Sequence, residues 1–278
     1  MKGREIGHYH MLELLGAGGM GKVYQARELS SGDQFAIKVL APAMASDELL
    51  LRRFQREARI LSTLDHPNIV RGFGLQRTDG LVYLVMEIVT GETARERLIR
   101  KGSLSVPETL NIALAVISAL SHVAEHGIVH RDVKPANIIV DEIGEIKLVD
   151  FGLSRIENAT MVLTIGAFSM GTPLYSAPEQ NEDARDVDHR SDIYALGVSM
   201  MHLLTGKHPF AGPSVHVIRQ SHATQAMPSG ADLGKPLPDE LEKVLQKMAA
   251  KKPDDRYQDF ETLESDLERI RRDSSLGA

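Results

Sequence analysis

Asp132, Lys134, Asn137 and Asp150 fall within one short stretch, and together they could support phosphoryl transfer. That reaction offers a protein little covalent chemistry, so the groups it needs are those that position reactants and neutralise charge. Asp132 can accept the proton of an attacking hydroxyl, and Lys134 can face a phosphate. Asn137 and Asp150 offer oxygen ligands, which a hard Mg²⁺ ion prefers. Upstream, Lys38 interrupts the apolar run Ala36-Ile37-Lys38-Val39. A strand lysine ordinarily faces solvent, but Glu57 lies on the helical stretch that follows and is a candidate partner. The run Gly16-Ala17-Gly18-Gly19-Met20-Gly21-Lys22-Val23 can bring backbone close to phosphates. By itself it is equally a glycine-rich turn. A dinucleotide-binding turn needs a helix after it, whereas Val23-Tyr24-Gln25-Ala26 reads as a strand.

The elements that must hold these groups change character along the chain. Met11–Leu15, Val23–Arg27 and Gln34–Leu40 read as strands separated by turn residues. A helix is expected over 47–64, with Asp47 and Glu48 in its first turn and Leu50, Phe54, Ala58 and Leu61 on its buried face. His66-Pro67 ends it, and Ile69–Leu75 and Leu81–Val89 follow as strands. Beyond about Thr90 the period becomes helical. Pro107–Glu125 is apolar nearly all round its middle, like a helix buried at a domain centre, with Ser105 as its cap. Ile138–Val140 and Ile146–Leu148 read as a small hairpin, Ser191–Leu204 and Phe260–Ile270 as helices, and Met227–Pro238 as a loop. The expected class is α+β: a β-rich lobe over 1–89 with one main helix, and a larger, mostly helical lobe over 90–278. A nucleotide is expected where they join.

Of the 278 residues, 42% are hydrophobic and 25% charged, the balance of a soluble globular chain with a sizeable core. A net charge of −6 argues against a nucleic-acid partner. With no cysteine, disulfides and thiolate metal sites are excluded. The opening residues are polar, unlike a signal peptide. The most apolar segment, Ile112–Leu120, is shorter than the roughly 20 residues a membrane-spanning helix needs. The expected location is the cytoplasm, either free or as the cytosolic part of a longer membrane-anchored protein.

His130-Arg131-Asp132-Val133-Lys134-Pro135-Ala136-Asn137, Asp150-Phe151-Gly152, Gly171-Thr172-Pro173 and Ala177-Pro178-Glu179 together resemble eukaryote-type protein kinases, over about Tyr9 to Arg271. Lys134 is the serine/threonine form, and the strings look most like bacterial members. The resemblance implies a bilobal fold and transfer of the ATP γ-phosphate to Ser or Thr hydroxyls of proteins, including the chain itself. It implies that Asp132 orients and deprotonates the hydroxyl, Lys134 steadies the γ-phosphate, and Lys38, paired with Glu57, holds the α/β-phosphates. Asn137 and Asp150 would bind Mg²⁺, for which Mn²⁺ may substitute.

Gly16, Gly18 and Gly21 would cover the phosphates. Leu15, Val23, Ala36 and Ile139 would sandwich the adenine. Met86 would be the gatekeeper, with Glu87 to Val89 supplying backbone hydrogen bonds. His130 would pack against Phe151, Asp192 hold the His130–Arg131 turn, Glu179 pair with Arg256, and Thr172 bond Lys134 and Asp132. Arg131 implies control by a phosphate on the segment that follows, with Thr164 and then Ser169 as expected sites. A homodimer through the small lobe is a further implication. Two features depart from the usual pattern. Thr93 rather than an acid is expected to face the ribose. Gly72 replaces a larger apolar residue, so a leucine there is expected to brace helix 47–64 and raise activity. A scaffold without catalysis typically lacks Lys38, Asp132 or Asp150, all present here. A small-molecule phosphotransferase should lack Gly-Thr-Pro and Ala-Pro-Glu.

Overall fold

The computed structural model describes residues 1–18, 21–151, 173–181 and 187–276. They form two compact units, one covering Met1–Thr90 and one that begins at Gly91.

The first unit is built on strands β1 (Glu5–Ile6), β2 (Tyr9–Gly18), β3 (Gly21–Glu28) and β4 (Gln34–Leu40), then helices α1 (Pro42–Ala45) and α2 (Glu48–Thr63), then strands β5 (Gly72–Thr78) and β6 (Leu81–Glu87). The sheet is antiparallel, in the order β1-β2-β3-β4-β6-β5. Side chains alternate between its faces. Tyr24 lies opposite Ile37, and Ile37 opposite Val85, and this face joins Tyr9, Met11, Ala26, Val39 and Tyr83 in one core. The other face carries Val23 opposite Lys38 and Ala36 opposite Met86. The alternation that builds the core thus presents Lys38 on the opposite side.

Helix α2 begins one residue later than expected because Asp47 is its cap rather than part of its first turn. One Asp47 carboxylate oxygen accepts from the N–H groups of Leu49 (2.9 Å) and Leu50 (3.1 Å), which otherwise lack partners at a helix start. Phe54, Glu57, Ala58 and Leu61 form its buried face. The strand expected from Ile69 starts instead at Gly72, with Ile69 and Val70 buried just ahead of it.

Gly72 corrects the sequence-based expectation of a loosened helix. A Cβ built on it would stand 2.8 Å from Leu61 Cβ and 3.0 Å from the Leu61 carbonyl carbon. Lacking a side chain there, β5 lies directly against the α2 backbone. A leucine would collide with the helix instead of bracing it.

The second unit holds β7 (Glu92–Thr93), α3 (Ala94–Lys101), α4 (Val106–Glu125), β8 (Ile138–Val140), β9 (Ile146–Leu148), α5 (Arg190–Thr205), α6 (Val215–Thr224), α7 (Asp239–Met248) and α8 (Phe260–Leu276). The β8–β9 hairpin has the expected bounds, and β7 adds a third strand beside β8. Ser105 caps α4 through a 3.3 Å bond from Glu108 N–H. Helix α4 runs to 20 residues, so it is long and apolar enough to cross a membrane. Ten of those residues are buried in this unit, where α5, α8 and β9 pack on it, which makes it a core helix. From Ser191 to Thr205 every residue of α5 is buried, Asp192 included.

Gly72→Leu should destabilise the chain by about 1–3 kcal/mol, the usual cost of overpacking. Denaturant unfolding of both forms checks this, and equal or greater stability of the variant would contradict it.

Candidate active site

Lys38 and Glu57 meet as expected. Lys38 Nζ lies 2.8 Å from Glu57 Oε1, and the two residues are 9% and 2% exposed. Each charge would be costly to bury alone, so β4 and α2 are held in a register that keeps both paired. On the same sheet face stand half-buried Val23 and buried Ala36 and Met86. Leu15, on β2, is 51% exposed.

The expected phosphate glycines divide. A Cβ on Gly21 would fall 2.0 Å from the Val39 carbonyl oxygen, so β4 itself requires this glycine. Gly16 and Gly18 have nothing near them, and Gly19 and Met20 lie outside the described residues. At the end of β6, the Glu87 N–H donates to the Arg71 carbonyl at 2.9 Å, which leaves its carbonyl as the group that could meet a ligand. The Val89 N–H has no acceptor among the described residues.

In the second unit, Ile139 lies half-buried on β8, opposite Thr93. Thr93, expected to face the ribose, is given a local role by the structure. It caps α3: its hydroxyl accepts from Glu96 N–H (3.1 Å) and donates to Glu96 Oε2 (2.8 Å), which also accepts from Thr93 N–H (2.8 Å).

The turn between α4 and β8 gathers the remaining candidates. Asp132 Oδ2 accepts from Lys134 Nζ at 2.6 Å and from Asn137 Nδ2 at 3.0 Å. Asn137 Nδ2 also donates to the carbonyls of Asp132 (2.9 Å) and Asp150 (3.4 Å). Three acceptors around that nitrogen fix which way the amide points. Asn137 Oδ1 takes no hydrogen bond from the described residues, which leaves an oxygen suited to a hard cation. Asp150 is exposed, with φ 55°. The oxygen set fits Mg²⁺. No cluster of three or more His, Cys, Asp or Glu able to hold a metal occurs among the described residues. Such an ion would therefore share its coordination with substrate phosphates and water.

Asp192, at the start of α5, is the scaffold of this turn. Its Oδ2 accepts from His130 N–H and its Oδ1 from Arg131 N–H, both at 2.8 Å. Arg131 has φ 67°, a conformation that non-glycine residues rarely hold unless the surroundings impose it. The His130 ring lies 4.6 Å from Phe151, centroid to centroid. Burial pushes its pKa down to about 4. A neutral, buried imidazole is packing material and no base.

The protein kinase domain family matches residues 9–267. The chain belongs to this family. It is 39% identical to serine/threonine-protein kinase PrkC of Bacillus subtilis over 95% of its own length and 40% of that protein's. It is 36% identical to the probable serine/threonine-protein kinase PknB of Lactococcus lactis, over 93% and 41%. This kinase domain thus spans about two-fifths of the curated relatives it matches. The solved kinase domain of Mycobacterium tuberculosis PknI superposes with a TM-score of 0.73 at 31% identity, covering 96% of this chain and 97% of that one.

Further supports of the kinase domain lie beyond the turn. Glu179 receives both terminal nitrogens of Arg256, at 2.7 and 2.9 Å, the pair expected from the sequence. Arg256 also donates to the carbonyls of Ala250, Lys251 and Arg190. Gln180, which sequence reasoning missed, bridges two segments: its Nε2 donates to the Arg131 carbonyl (3.1 Å) and its Oε1 accepts from Ala177 N–H (2.9 Å). Its place directly after Ala177-Pro178-Glu179 was the available signal. Tyr175 and His202 share a 2.8 Å bond, and the rings of His202 and His208 stack at 3.7 Å. Gly152, Ser154, Thr160, Thr164, Ser169, Gly171 and Thr172 lie outside the described residues.

Arg256→Ala should cost about 3–5 kcal/mol, because it strips the partner from a partly buried carboxylate. Denaturant unfolding reads this directly, and a loss below about 1 kcal/mol would mean the pair behaves like a surface one.

Acid should also weaken the fold. Burial lowers His130, His208 and His222 to about 4 and His202 to about 3, from 6.5. As pH falls below 6.5 the unfolded chain takes up protons that the folded kinase domain refuses, so stability falls. Asp192 opposes this. Burial, against its two N–H donors, raises its carboxyl from 3.8 to about 7, so its contribution falls as pH rises through that range. Four histidines against one carboxyl predict a lower Tm at about pH 5 than at about pH 7, with the gap narrowed by His208→Gln. A flat or rising Tm on acidification would contradict this.

Proposed function

We propose that the chain transfers the γ-phosphate of ATP to serine or threonine hydroxyls of proteins. The observation that carries this reading is the joint fixing of Asp132, Lys134 and Asn137 in one hydrogen-bonded cluster, together with the buried Lys38–Glu57 pair. The kinase relatives support it.

In this reading Asp132 takes the hydroxyl proton. Its carboxylate is held by Lys134 and Asn137 and so meets the acceptor in one orientation, which is how a positioned base contributes. Lys134, already beside Asp132, faces the γ-phosphate and keeps acceptor and donor in line. Lys38, held by Glu57, presents its ammonium to the α/β-phosphates. Ala36, Val23, Met86 and Leu15 offer an apolar surface to the adenine, with Val89 N–H as a hydrogen-bond donor. Ile139 would contribute from β8. Asn137 and Asp150 would hold a divalent metal, which when bound neutralises phosphate charge. The ATP requirement places this activity on the cytosolic side of any membrane to which a longer protein is anchored.

Regulation is part of the same proposal. Thr164, and secondarily Ser169, would be phosphorylated by a second copy of the chain associating through the first unit. Arg131 would then receive the phosphate, because a guanidinium binds phosphate oxygens in matched pairs.

The test is incubation with Mg-ATP, with intact mass and peptide mapping as readouts. Asp132→Asn should lower phosphate incorporation by about 10²–10⁴ while ATP binding survives. Incorporation at Thr164 should rise faster than linearly with chain concentration. Fully active enzyme with bare Thr164 would overturn the regulatory part. Unchanged incorporation in Asp132→Asn would overturn the catalytic part.

A further inference from the structure

The peptide group that joins Arg131 to Asp132 is planar and carries one acceptor and one donor. Both are held. The Arg131 carbonyl accepts from Gln180 Nε2 at 3.1 Å, and the Asp132 N–H donates to His130 Nδ1 at 3.3 Å. A flat group held at both edges cannot rotate freely about its Cα–Cα axis. That rotation sets ψ of Arg131 and φ of Asp132, and so the direction in which the Asp132 side chain leaves the backbone. Asp192 fixes the preceding peptide through the Arg131 N–H. His130 lies inside the turn and Asp192 on α5, and Gln180 adds a hold from the segment 173–181.

Gln180 is itself anchored. Its Oε1 accepts from the Ala177 N–H at 2.9 Å, and its own N–H donates to the Ala177 carbonyl at 3.1 Å. The residue before it, Glu179, is clamped by Arg256. Its side chain therefore reaches the turn from a fixed base. With a carbonyl at one end and an N–H at the other, only one orientation of the amide satisfies both. A carboxylate in its place could accept but not donate.

We propose that Gln180 is a positioning residue for Asp132, which aims the Asp132 carboxylate by holding the Arg131 carbonyl from the segment 173–181. This rests on the kinase reading above and adds a residue to its machinery. Gln180 acts through one peptide plane and does not itself meet the reacting atoms. Its removal leaves the groups that bind ATP and peptide in place and misdirects the base. The loss therefore falls on kcat rather than on KM.

The experiment measures kcat, KM for ATP and KM for a serine peptide between about pH 5.5 and pH 8, below the Tm of every form, for wild type, Gln180→Leu and Gln180→Glu. Gln180→Leu should lower kcat by about 10- to 100-fold, with both KM values within about twofold of wild type. At about pH 8 Gln180→Glu should lose as much, because its carboxylate faces a carbonyl oxygen. Protonation returns a donor to it, so its kcat relative to wild type should recover by about fivefold as pH falls to about 5.5. An unchanged kcat in Gln180→Leu, a loss confined to KM, or a Gln180→Glu deficit that acid does not relieve overturns the proposal. Should Gln180→Leu not fold, the pH series of Gln180→Glu decides alone. If wild type transfers no phosphate, the kinase reading fails instead, and amide hydrogen exchange decides the inference. Exchange of the Asp132 N–H about tenfold faster in Gln180→Leu, with the α4 amides unaltered, upholds the hold on that plane, and equal exchange in both forms overturns it.

Discussion

Asp192 is a carboxylate sealed inside the second unit, and the geometry around Asp132 depends on it. Two consecutive backbone N–H groups, at His130 and Arg131, can point at one carboxylate only if the chain turns sharply between them, and Arg131 accordingly sits at φ 67°. Such a turn costs roughly 1–3 kcal/mol for a side-chain-bearing residue. Two bonds to a buried carboxyl oppose that cost, and removing them would leave two backbone N–H donors unpaired, at about 1–3 kcal/mol each where they are buried. The next residue is Asp132. The direction in which its carboxylate leaves the backbone is thus set from α5, 60 positions away in sequence.

Two other buried or partly buried charges work in the same manner. Glu57 ties α2 to β4 through Lys38, and Arg256 ties the segment at Glu179 to the loop before α8. Exposed ion pairs are worth about 0–1 kcal/mol, so the network along α3 trims the surface without deciding the fold. The buried contacts decide register because leaving one partner unpaired costs several kcal/mol. A shift of β4 by one residue would turn Lys38 into the core of the first unit and leave Glu57 stranded.

Much of this was legible because the relevant signals are local. Gln34–Leu40 reads as a strand by composition, and the turn residues around Gly144 mark the β8–β9 hairpin. Ser105, ahead of Pro107, announces the start of α4. The buried pairs were legible for a different reason: an acid on an apolar helix face, or an arginine that ends up buried, must have a partner, and the family resemblance supplied which one. Three features resisted. Thr93 precedes Glu96 by the spacing of a capping box, a role for its hydroxyl that was not drawn from the sequence. Gly72 looked like a missing side chain, whereas the contact with Leu61 is a close backbone approach that pattern alone does not display. The bond from the Glu87 N–H to the Arg71 carbonyl joins residues far apart in the chain and has no local signal.

Glu57, Asp192 and Arg256 share a property that the exposed charged residues lack: each is buried, and each side chain is committed to holding two stretches of chain together. An exposed ion pair can break and leave both partners to water, so its loss costs little. A buried polar group has no such alternative, so the segments it joins must stay in place. Lys38 is bonded directly to one of these groups, and Asp132 follows the turn that another one holds. The two residues whose placement matters most are therefore positioned by contacts that the fold cannot give up cheaply, whereas the surface pairs are free to vary.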